Sequence, residues 1–182
     1  MIYTNRLNIR HHTVSDLVWL SKLYSDEKVM YYLPDMLNKD IDIIKGKLLT
    51  IIEDQESVER QNYFYCMELK RENICIGEIG FTVEYQEKEA VCDIGYFIFP
   101  EFWGKGYVSE AMEEVIKFAF KECDVTKIIA TCYRENIASE RVMQKSGMKI
   151  VEGSVTTRIH NGAEKERIKY QLSKQDFLER NS

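Results

Sequence analysis

The 182-residue chain lacks the sequence features of membrane and secreted proteins. It contains no stretch of about 18 apolar residues, which a membrane-spanning helix would need. It also has no charged segment followed by a short apolar stretch, the pattern of a secretory signal. Basic residues are not in excess, since the formal net charge is −5, and this argues against a nucleic-acid partner. We therefore predict a cytoplasmic protein that binds neither membranes nor nucleic acids.

Patterns typical of metal binding are also missing. No Cys-x-x-Cys or His-Glu-x-x-His string occurs, and the histidines are not grouped as ligands, so we expect no metal site. The cysteines are odd in number and four of them lie in strand-like stretches. This predicts buried thiols in a reducing cytoplasm for Cys66, Cys75, Cys92, Cys123 and Cys132. No repeat, linker or low-complexity segment interrupts the chain, so we expect a single domain over residues 1–182.

Hydrophobic periodicity predicts alternating strands and helices. The predicted strands cover residues 6–11, 63–69, 74–83, 90–99, 128–133, 150–157 and 166–172, with a polar turn at 86–88. The predicted helices are one capped by Ser15 and others over residues 40–53, 108–122 and 136–146.

Residues 93–111 combine an aromatic-rich strand, a loop with two glycines and the start of a helix. Glycine lets a ligand approach the main chain closely, and the free N–H groups of a helix start attract an anion. Gly104 and Gly106 therefore predict a phosphorylated ligand at the start of the helix that follows. The loop is not a P-loop, which ends in Gly-Lys-Ser/Thr. Gly104-x-Gly106-x-x-Ser109 comes within one residue of a dinucleotide fingerprint, and a plain tight turn is a further alternative.

A second segment narrows these alternatives. Residues 134–148 predict a helix that begins at Asn136 and ends at Gly147. With the glycine loop, the chain resembles the GNAT superfamily of acyl-CoA-dependent N-acetyltransferases. Within it, the RimJ/RimL type, which includes ribosomal-protein N-terminal acetyltransferases, is the most similar. The family's loop pattern, Gln/Arg-x-x-Gly-x-Gly/Ala, corresponds to residues 103–108. Its Asn-x-x-Ser and Lys-x-Gly-Phe signatures correspond to residues 136–139 and 145–148.

The chain departs from the family pattern at four positions. Trp103 replaces Gln or Arg, Val108 replaces Ala or Gly, and Met148 replaces Phe. Met143 stands where many members carry a tyrosine general acid. Because methionine cannot donate a proton, that role must pass to another group or be unnecessary.

The resemblance implies that acetyl-CoA binds in a V-shaped opening between strands 93–99 and 128–133. An amide-rich pantetheine arm can bond to main-chain groups that lack sheet partners, and our candidates are those of Phe97, Ile98 and Phe99. The pyrophosphate would rest on the N–H groups of Gly104, Lys105, Gly106, Tyr107, Val108 and Ser109. Asn136 is expected to contact CoA by resemblance, and to cap its helix on physical grounds.

The expected reaction is direct attack by an amine on the thioester. An α-amine has a pKa much closer to 7 than that of a lysine side chain, so it is the easier acceptor. The N–H of Ile98 is a candidate donor to the tetrahedral oxyanion. Ser139 is our candidate donor to the departing thiolate, with a solvent-facing helix serine as the alternative.

Two carboxylates are candidates for the general base. Asp93 corresponds to an acidic residue that several superfamily members use on this strand, and Glu78 lies on the neighbouring predicted strand. An ordinary aspartate is too acidic to deprotonate an α-amine efficiently, so Asp93 would need burial or a water chain. For both residues the alternative is a strand carboxylate satisfied by its neighbours.

Together these features predict the GNAT fold, a mixed and mostly antiparallel sheet of six to seven strands with about four helices. The predicted activity is acetyl-CoA-dependent transfer to a primary amine, most simply a protein or peptide N-terminal α-amine. A small-molecule amine such as a polyamine, amino acid or drug is the first alternative. A non-catalytic acyl-CoA-binding module is another. We expect a monomer or a homodimer.

Overall fold

A mixed sheet of nine strands runs through the computed structural model, which describes residues 1–86 and 89–180. The strand order is β1-β2-β3-β4-β5-β6-β9-β7, with β8 also paired to β9. The strands are β1 Ile2–Tyr3, β2 Leu7–His11, β3 Asn62–Leu69, β4 Ile74–Gln86, β5 Glu89–Ile98, β6 Lys127–Tyr133, β7 Lys149–Ile150, β8 Thr156–His160 and β9 Ala163–Ser173. Among the strand pairs of the described residues, only the β5–β6 pairing is parallel.

Helices cover both faces of this sheet. They are α1 Leu17–Ser25, α2 Ile41–Gln55, α3 Tyr107–Glu122, α4 Ile137–Lys145 and α5 Lys174–Arg180. Short 3₁₀ turns lie at Val14–Asp16, Val29–Tyr32, Pro34–Met36 and Pro100–Phe102. The predicted mixed and mostly antiparallel sheet, with helices on its faces, is confirmed.

Successive side chains of each strand point to opposite faces of the sheet, so the core has two layers. On one face, α3 buries an apolar stripe with helical spacing, which is Ala111, Met112, Val115, Ile116, Ala119 and Phe120. On the other face, α1 and α2 bury Leu20, Tyr24, Ile44 and Leu48 against Phe97 of β5. We call these the α3 face and the α1 face. Burial of each large aliphatic side chain contributes about 1.5–3 kcal/mol.

The strands β5 and β6 separate soon after they meet. They pair in register only where Val91, Cys92 and Asp93 face Lys127, Ile128 and Ile129. Beyond Asp93 the two strands have no mutual ladder, although β5 stays paired to β4 as far as Ile98. The predicted V-shaped opening is therefore present.

Near the C-terminus the sheet has more strands than we predicted. The expected strand 150–157 is two short strands, β7 and β8, separated by a segment in which Gly153 has a φ of 70°. A turn at Asn161 and Gly162, with φ values of 51° and 77°, joins β8 to β9. This Asn-Gly pair is a strong hairpin signal. The predicted turn at 86–88 includes residues 87 and 88, which lie outside the described residues.

Two local predictions were wrong. Ser15 does not cap α1, since Asp16 accepts the N–H of Thr13 at 2.8 Å and α1 begins at Leu17. Cys66 and Cys75 are not free thiols, because they form a disulfide between β3 and β4 with Cα atoms 6.2 Å apart. Cross-strand proximity of that kind cannot be read from the sequence. The other three cysteines are free, and Cys92 and Cys132 are buried as expected.

Candidate functional site

A cavity of about 1040 Å³ fills the opening between β5 and β6. Its walls are the ends of these strands, the glycine loop, the first turns of α3 and α4, and the 3₁₀ segment Val29–Tyr32. Most of the predicted CoA-contacting residues line it, namely Phe97, Ile98, Gly104, Gly106, Tyr107, Val108, Ser109, Asn136 and Ser139. Phe99 and Lys105 do not.

The glycine loop has the backbone geometry of an anion site. Gly104 and Gly106 have φ values of 72° and 78°, a region that side chains with a Cβ disfavour. Gly106 is the N-cap of α3, so the unpaired N–H groups of the first helical turn begin directly after it. These N–H groups lie beside the cavity and are suited to a phosphate.

Arg6, from the far edge of the sheet, braces this loop. Its Nη1 donates to the carbonyl of Lys105 at 3.0 Å, and its Nε lies 2.6 Å from Glu110 in the first turn of α3. Its guanidinium also stacks 4.3 Å from the ring centroid of Tyr107. Desolvation alone would raise the pKa of Glu110, but hydrogen bonds from Thr4 and Arg6 outweigh it and lower that pKa. Sequence reasoning missed this brace, because its partners are about a hundred residues apart.

The ladder of β4 and β5 determines which main-chain groups face the cavity. The N–H of Phe99 donates to the carbonyl of Ile76 at 2.9 Å. In an antiparallel ladder, alternate residues point their N–H and C=O to the same side. Phe97 and Phe99 therefore bond towards β4, whereas Tyr96 and Ile98 point into the opening. The main-chain groups of Phe97 and Phe99 are thus engaged, which corrects our choice of them as pantetheine partners.

Trp103 closes one end of the exposed β5 edge. Its indole Nε1 donates to the carbonyl of Ile98 at 2.8 Å. This bond satisfies an acceptor that would otherwise lack a sheet partner. The N–H of Ile98 and the N–H of Tyr96 remain directed into the opening.

Ser139 lies in the first turn of α4 at the cavity wall. The side chain of Asn136 accepts the N–H of Ser139 at 3.2 Å, so the predicted N-cap is confirmed. The Ser139 hydroxyl is 2.8 Å from the hydroxyl of Tyr96, which also donates to the carbonyl of Ser139 at 3.1 Å. Burial raises the pKa of Tyr96 well above its usual value, so it keeps its proton at neutral pH. Met143 is buried nearby in the cavity wall.

Tyr96 is a functional candidate that sequence reasoning did not identify. It stands within the aromatic run of β5 and looks like a core residue there. Only the splay of β5 and β6, together with the position of α4, brings its hydroxyl to Ser139.

Asp93 lies at the last position of β5 that pairs with β6, on the α1 face. Its side chain is accessible to solvent. Desolvation and the charge of Glu84 raise its pKa, and Lys169 and Arg167 oppose this shift. Asp93 is therefore less acidic than an ordinary aspartate, although it does not line the cavity.

Glu78 occupies a different environment. It is only 2% exposed, and its Oε1 accepts the hydroxyl of Tyr24 at 3.2 Å. Its Oε2 lies 3.1 Å from Nε2 of His12. These contacts hold Glu78 between β4 and α1, away from the cavity lining. Of the three catalytic candidates, only Ser139 lines the cavity.

Aromatic rings line the part of the cavity where the 3₁₀ segment Val29–Tyr32 meets the end of β6. Tyr31 and Tyr133 have ring centroids 5.1 and 4.9 Å from that of the buried His160. Tyr32 stacks on the same imidazole. Two carboxylates, Glu27 and Glu135, also line this end. We call it the acceptor end.

Comparison with known proteins agrees with this geometry. The sequence model of the family described as "Acetyltransferase (GNAT) domain" matches residues 6–149. The uncharacterized N-acetyltransferase YnaD of Bacillus subtilis (strain 168) is 34% identical over 148 residues, which are 81% of this chain and 82% of that protein.

Two solved structures have the same fold. A spermidine N-acetyltransferase from Vibrio cholerae, in complex with CoA and spermine, has a TM-score of 0.82 at 17% identity and covers 95% of this chain and 98% of its own. A putative ribosomal-protein-serine acetyltransferase from Vibrio cholerae has a TM-score of 0.73 at 18% identity, covering 94% and 96%. Enzymes for different amines thus share this fold, so the fold does not identify the acceptor. Within residues 1–86 and 89–180, no helix is both long and apolar enough to cross a membrane.

Proposed function

Because the chain belongs to the GNAT acetyltransferase family, we propose that it moves the acetyl group of acetyl-CoA to an α-amine, as RimJ/RimL-type enzymes do with protein N-termini. The main support for this proposal is that the glycine loop, the free edge of β5 and the Ser139 hydroxyl all line one cavity. The candidate anion site, the main-chain donors and the candidate thiolate partner thereby lie in one opening.

The residues present fit acetyl-CoA. The left-handed Gly104 and Gly106 leave main-chain N–H groups open to the pyrophosphate. The outward N–H of Tyr96 would pair with an amide of the pantetheine arm, in the manner of an added strand. Ile98 would direct its N–H at the thioester oxygen.

Two donors then serve the charges that develop during transfer. The N–H of Ile98 stabilises the oxyanion of the tetrahedral intermediate. Ser139 donates to the sulfur as its negative charge grows. In the proposed arrangement the Tyr96 hydroxyl donates to the Ser139 hydroxyl oxygen, one of the two directions that their 2.8 Å separation allows, and the serine proton is then free for the thiolate. No residue need protonate the sulfur fully, because a thiol pKa near ~8.5 makes it a tolerable leaving group.

Asp93 is proposed to hold the acceptor ammonium and accept its proton through water. Its raised pKa reduces the mismatch with an α-amine, which is the main obstacle for an aspartate base. Glu78 is less suitable, since it is buried beside Tyr24 and His12 and does not line the cavity. It remains the second candidate.

A small-molecule amine is the second candidate acceptor. Glu27 and Glu135 line the acceptor end and carry the charge that a polyamine would need. The resemblance of the 103–108 and 136–148 motifs to the RimJ/RimL type favours the N-terminal amine instead.

The test is release of CoA thiol from acetyl-CoA with matched acceptors. Peptides with free N-termini are compared with the same peptides blocked at the N-terminus, and with spermidine. Turnover that needs the free N-terminus supports the proposal. Turnover with spermidine but with no peptide would replace it with the small-molecule reading.

A further inference from the structure

A second cavity adjoins the acceptor end. It has a volume of about 840 Å³ and lies between the 3₁₀ turn Pro34–Met36 and strands β6, β8 and β9. Thr131, Tyr133 and Arg167 line both this cavity and the first one, so the two spaces are neighbours. We call it the β9 cavity.

Three cationic side chains, Arg158, Arg167 and Lys169, line the β9 cavity. Lys169 pairs with Thr131 of β6, and Arg167 pairs with Tyr133. Thr156 of β8 faces Arg167 from the other side. Directly paired residues share a face of a sheet, so these groups project together from the α1 face. Among the described residues, none of the three cations forms an ion pair with a carboxylate.

The carboxylates at the acceptor end are in the opposite situation. Glu27 pairs with Lys39 at 2.6 Å, and Glu135 pairs with Lys165. Their charges are therefore largely balanced within the chain. Asp35 lies at the rim of the β9 cavity, where its side chain is exposed and forms no ion pair among the described residues. Among the residues that line the β9 cavity the unpaired charge is therefore mainly positive, with Arg158, Arg167 and Lys169 against Asp35.

Arg167 also carries an unsatisfied buried donor. Its Nε is shielded from solvent and has no hydrogen-bond partner among the described residues. Its guanidinium sits 5.6 Å from the ring centroid of Tyr133, which fixes its position without satisfying that proton. A buried donor of this kind is costly to leave unpaired, and an anionic oxygen would satisfy it. The hydroxyls of Thr131 and Thr156 offer further donors to the same anion.

The β9 cavity lies on the same face of the sheet as Asp93. Asp93 pairs with Ile129 of β6, two residues before Thr131. With strands about 4.8 Å apart and a rise of about 3.3 Å per residue, the backbones of Asp93 and Lys169 are roughly 12 Å apart along the sheet. The long arginine side chains shorten that distance. An acceptor with its amine at Asp93 would reach the cations with a group one or two residues away.

We propose that the β9 cavity binds a carboxylate or phosphate of the acceptor, so that the preferred acceptors are amines that carry a negative charge. The inference rests on the amine acetylation proposed above and names the substrate class. It argues against polycations, which would bring positive charge to Arg158, Arg167 and Lys169.

The first test compares acceptors that differ only in the anion. Glycylglycine is compared with glycylglycinamide, and a phosphoserine amide with serine amide. In at least one of the two pairs, we expect kcat/KM for the anionic acceptor to exceed that for its neutral partner by a factor on the order of ten to a hundred. The two pairs distinguish a carboxylate from a phosphate. A ratio near one in both pairs would overturn the proposal.

Variants then connect the preference to the cavity. Arg158→Gln and Arg167→Gln should each reduce the anionic-to-neutral ratio towards one. The matched control is Arg134→Gln, which removes an arginine paired with Glu166 outside both cavities and should leave the ratio unchanged. A ratio that survives both cavity substitutions would mean that the anion binds elsewhere.

A binding measurement separates this inference from the proposed reaction. Calorimetry with inorganic phosphate and with acetate, at saturating CoA so that the glycine loop is occupied, should show an anion site that Arg158→Gln weakens. If anions bind in this way while no amine is acetylated, the reaction is wrong and the anion site stands. If amines are acetylated without anion preference or anion binding, the reaction stands and the anion site is wrong.

Discussion

At the scale of single residues, the pair formed by Ser139 and Tyr96 leads to the first prediction. Ser139→Ala would remove the proposed hydrogen bond to the sulfur, which strengthens only as negative charge appears there. We expect kcat to fall by a factor on the order of ten to a hundred, with little change in acetyl-CoA affinity. Tyr96→Phe keeps the serine and should cause a smaller loss. Steady-state kinetics and CoA titration measure both effects.

Ser146→Ala is the control for this substitution. Ser146 lies at the end of α4, where its hydroxyl donates to the carbonyl of Val142 at 2.9 Å and does not line the cavity. Its loss affects the same helix without touching the proposed site, so kcat should be nearly unchanged. Equal losses in the Ser139 and Ser146 variants would mean that the helix, and not the hydroxyl, matters.

Asp93 supports a second prediction at this scale, in the pH dependence of the reaction. The carboxylate assists only when it is ionised, so its benefit is absent below its raised pKa. The benefit also disappears well above a pH of about 8, where an α-amine is already free. The ratio of kcat/KM for the wild type to that for Asp93→Asn should thus peak near neutral pH and approach one on both sides. A ratio independent of pH would exclude this role.

Glu84 allows a test of whether Asp93 is the group that titrates on the acidic side of the kcat/KM–pH profile. Its charge raises the pKa of Asp93. Glu84→Gln should therefore lower that pKa, and the acidic limb of the wild-type profile should move to lower pH. An unmoved limb would mean that another group titrates there.

At the scale of elements, local signals were sufficient for some parts of the site and insufficient for others. The start of α3 was predicted within one residue, because Gly104, Gly106 and the apolar stripe of the helix are all adjacent in sequence. The disulfide of Cys66 and Cys75 and the brace from Arg6 were missed. They depend on how strands align in the sheet, which no local pattern encodes.

The opening between β5 and β6 shows the same limit. Its existence followed from the family resemblance, but the choice of main-chain donors did not. Phe97, Ile98 and Phe99 are equivalent apolar residues in the sequence. Only the register of β4 and β5 distinguishes Ile98, which points into the opening, from its two neighbours.

The loop before α3 gives the third prediction, through Gly106→Asp. This change places a negative charge beside the first N–H groups of the helix, so acetyl-CoA affinity should fall at least about tenfold. A Cβ at this position meets only Arg6 Nη2, at 3.5 Å, so packing tolerates it. Calorimetric titration of folded protein measures the effect.

Gly153→Asp controls for backbone strain. Gly153 has a φ of 70° and open space around it, yet it lies away from the cavity. A left-handed conformation costs an ordinary residue about 1–2 kcal/mol at either site. Both variants should therefore lose similar stability, while only Gly106→Asp loses affinity. Unchanged affinity in folded Gly106→Asp would mean that the pyrophosphate binds elsewhere.

At the scale of the whole molecule, the sheet separates two sets of functional groups. The glycine loop, Tyr96 and Ser139 belong to the α3 face, whereas Asp93, Arg167 and Lys169 belong to the α1 face. The two sets can meet only where β5 and β6 diverge. In the proposed reaction the splay would therefore be the place where an acceptor bound on one face reaches a thioester bound on the other.

The last prediction follows from this arrangement. A bound CoA would contact α3, β5 and α4 of the folded state and would find no such site in the unfolded chain, so it stabilises the folded state by mass action. At a concentration a hundredfold above its Kd, the melting temperature should rise by roughly 5–10 °C. NADH tests the dinucleotide alternative, because it shares the pyrophosphate but lacks the pantetheine arm that β5 would bind. A rise with NADH and none with CoA would favour that alternative, whereas a rise with CoA that Gly106→Asp abolishes would assign the ligand to this loop.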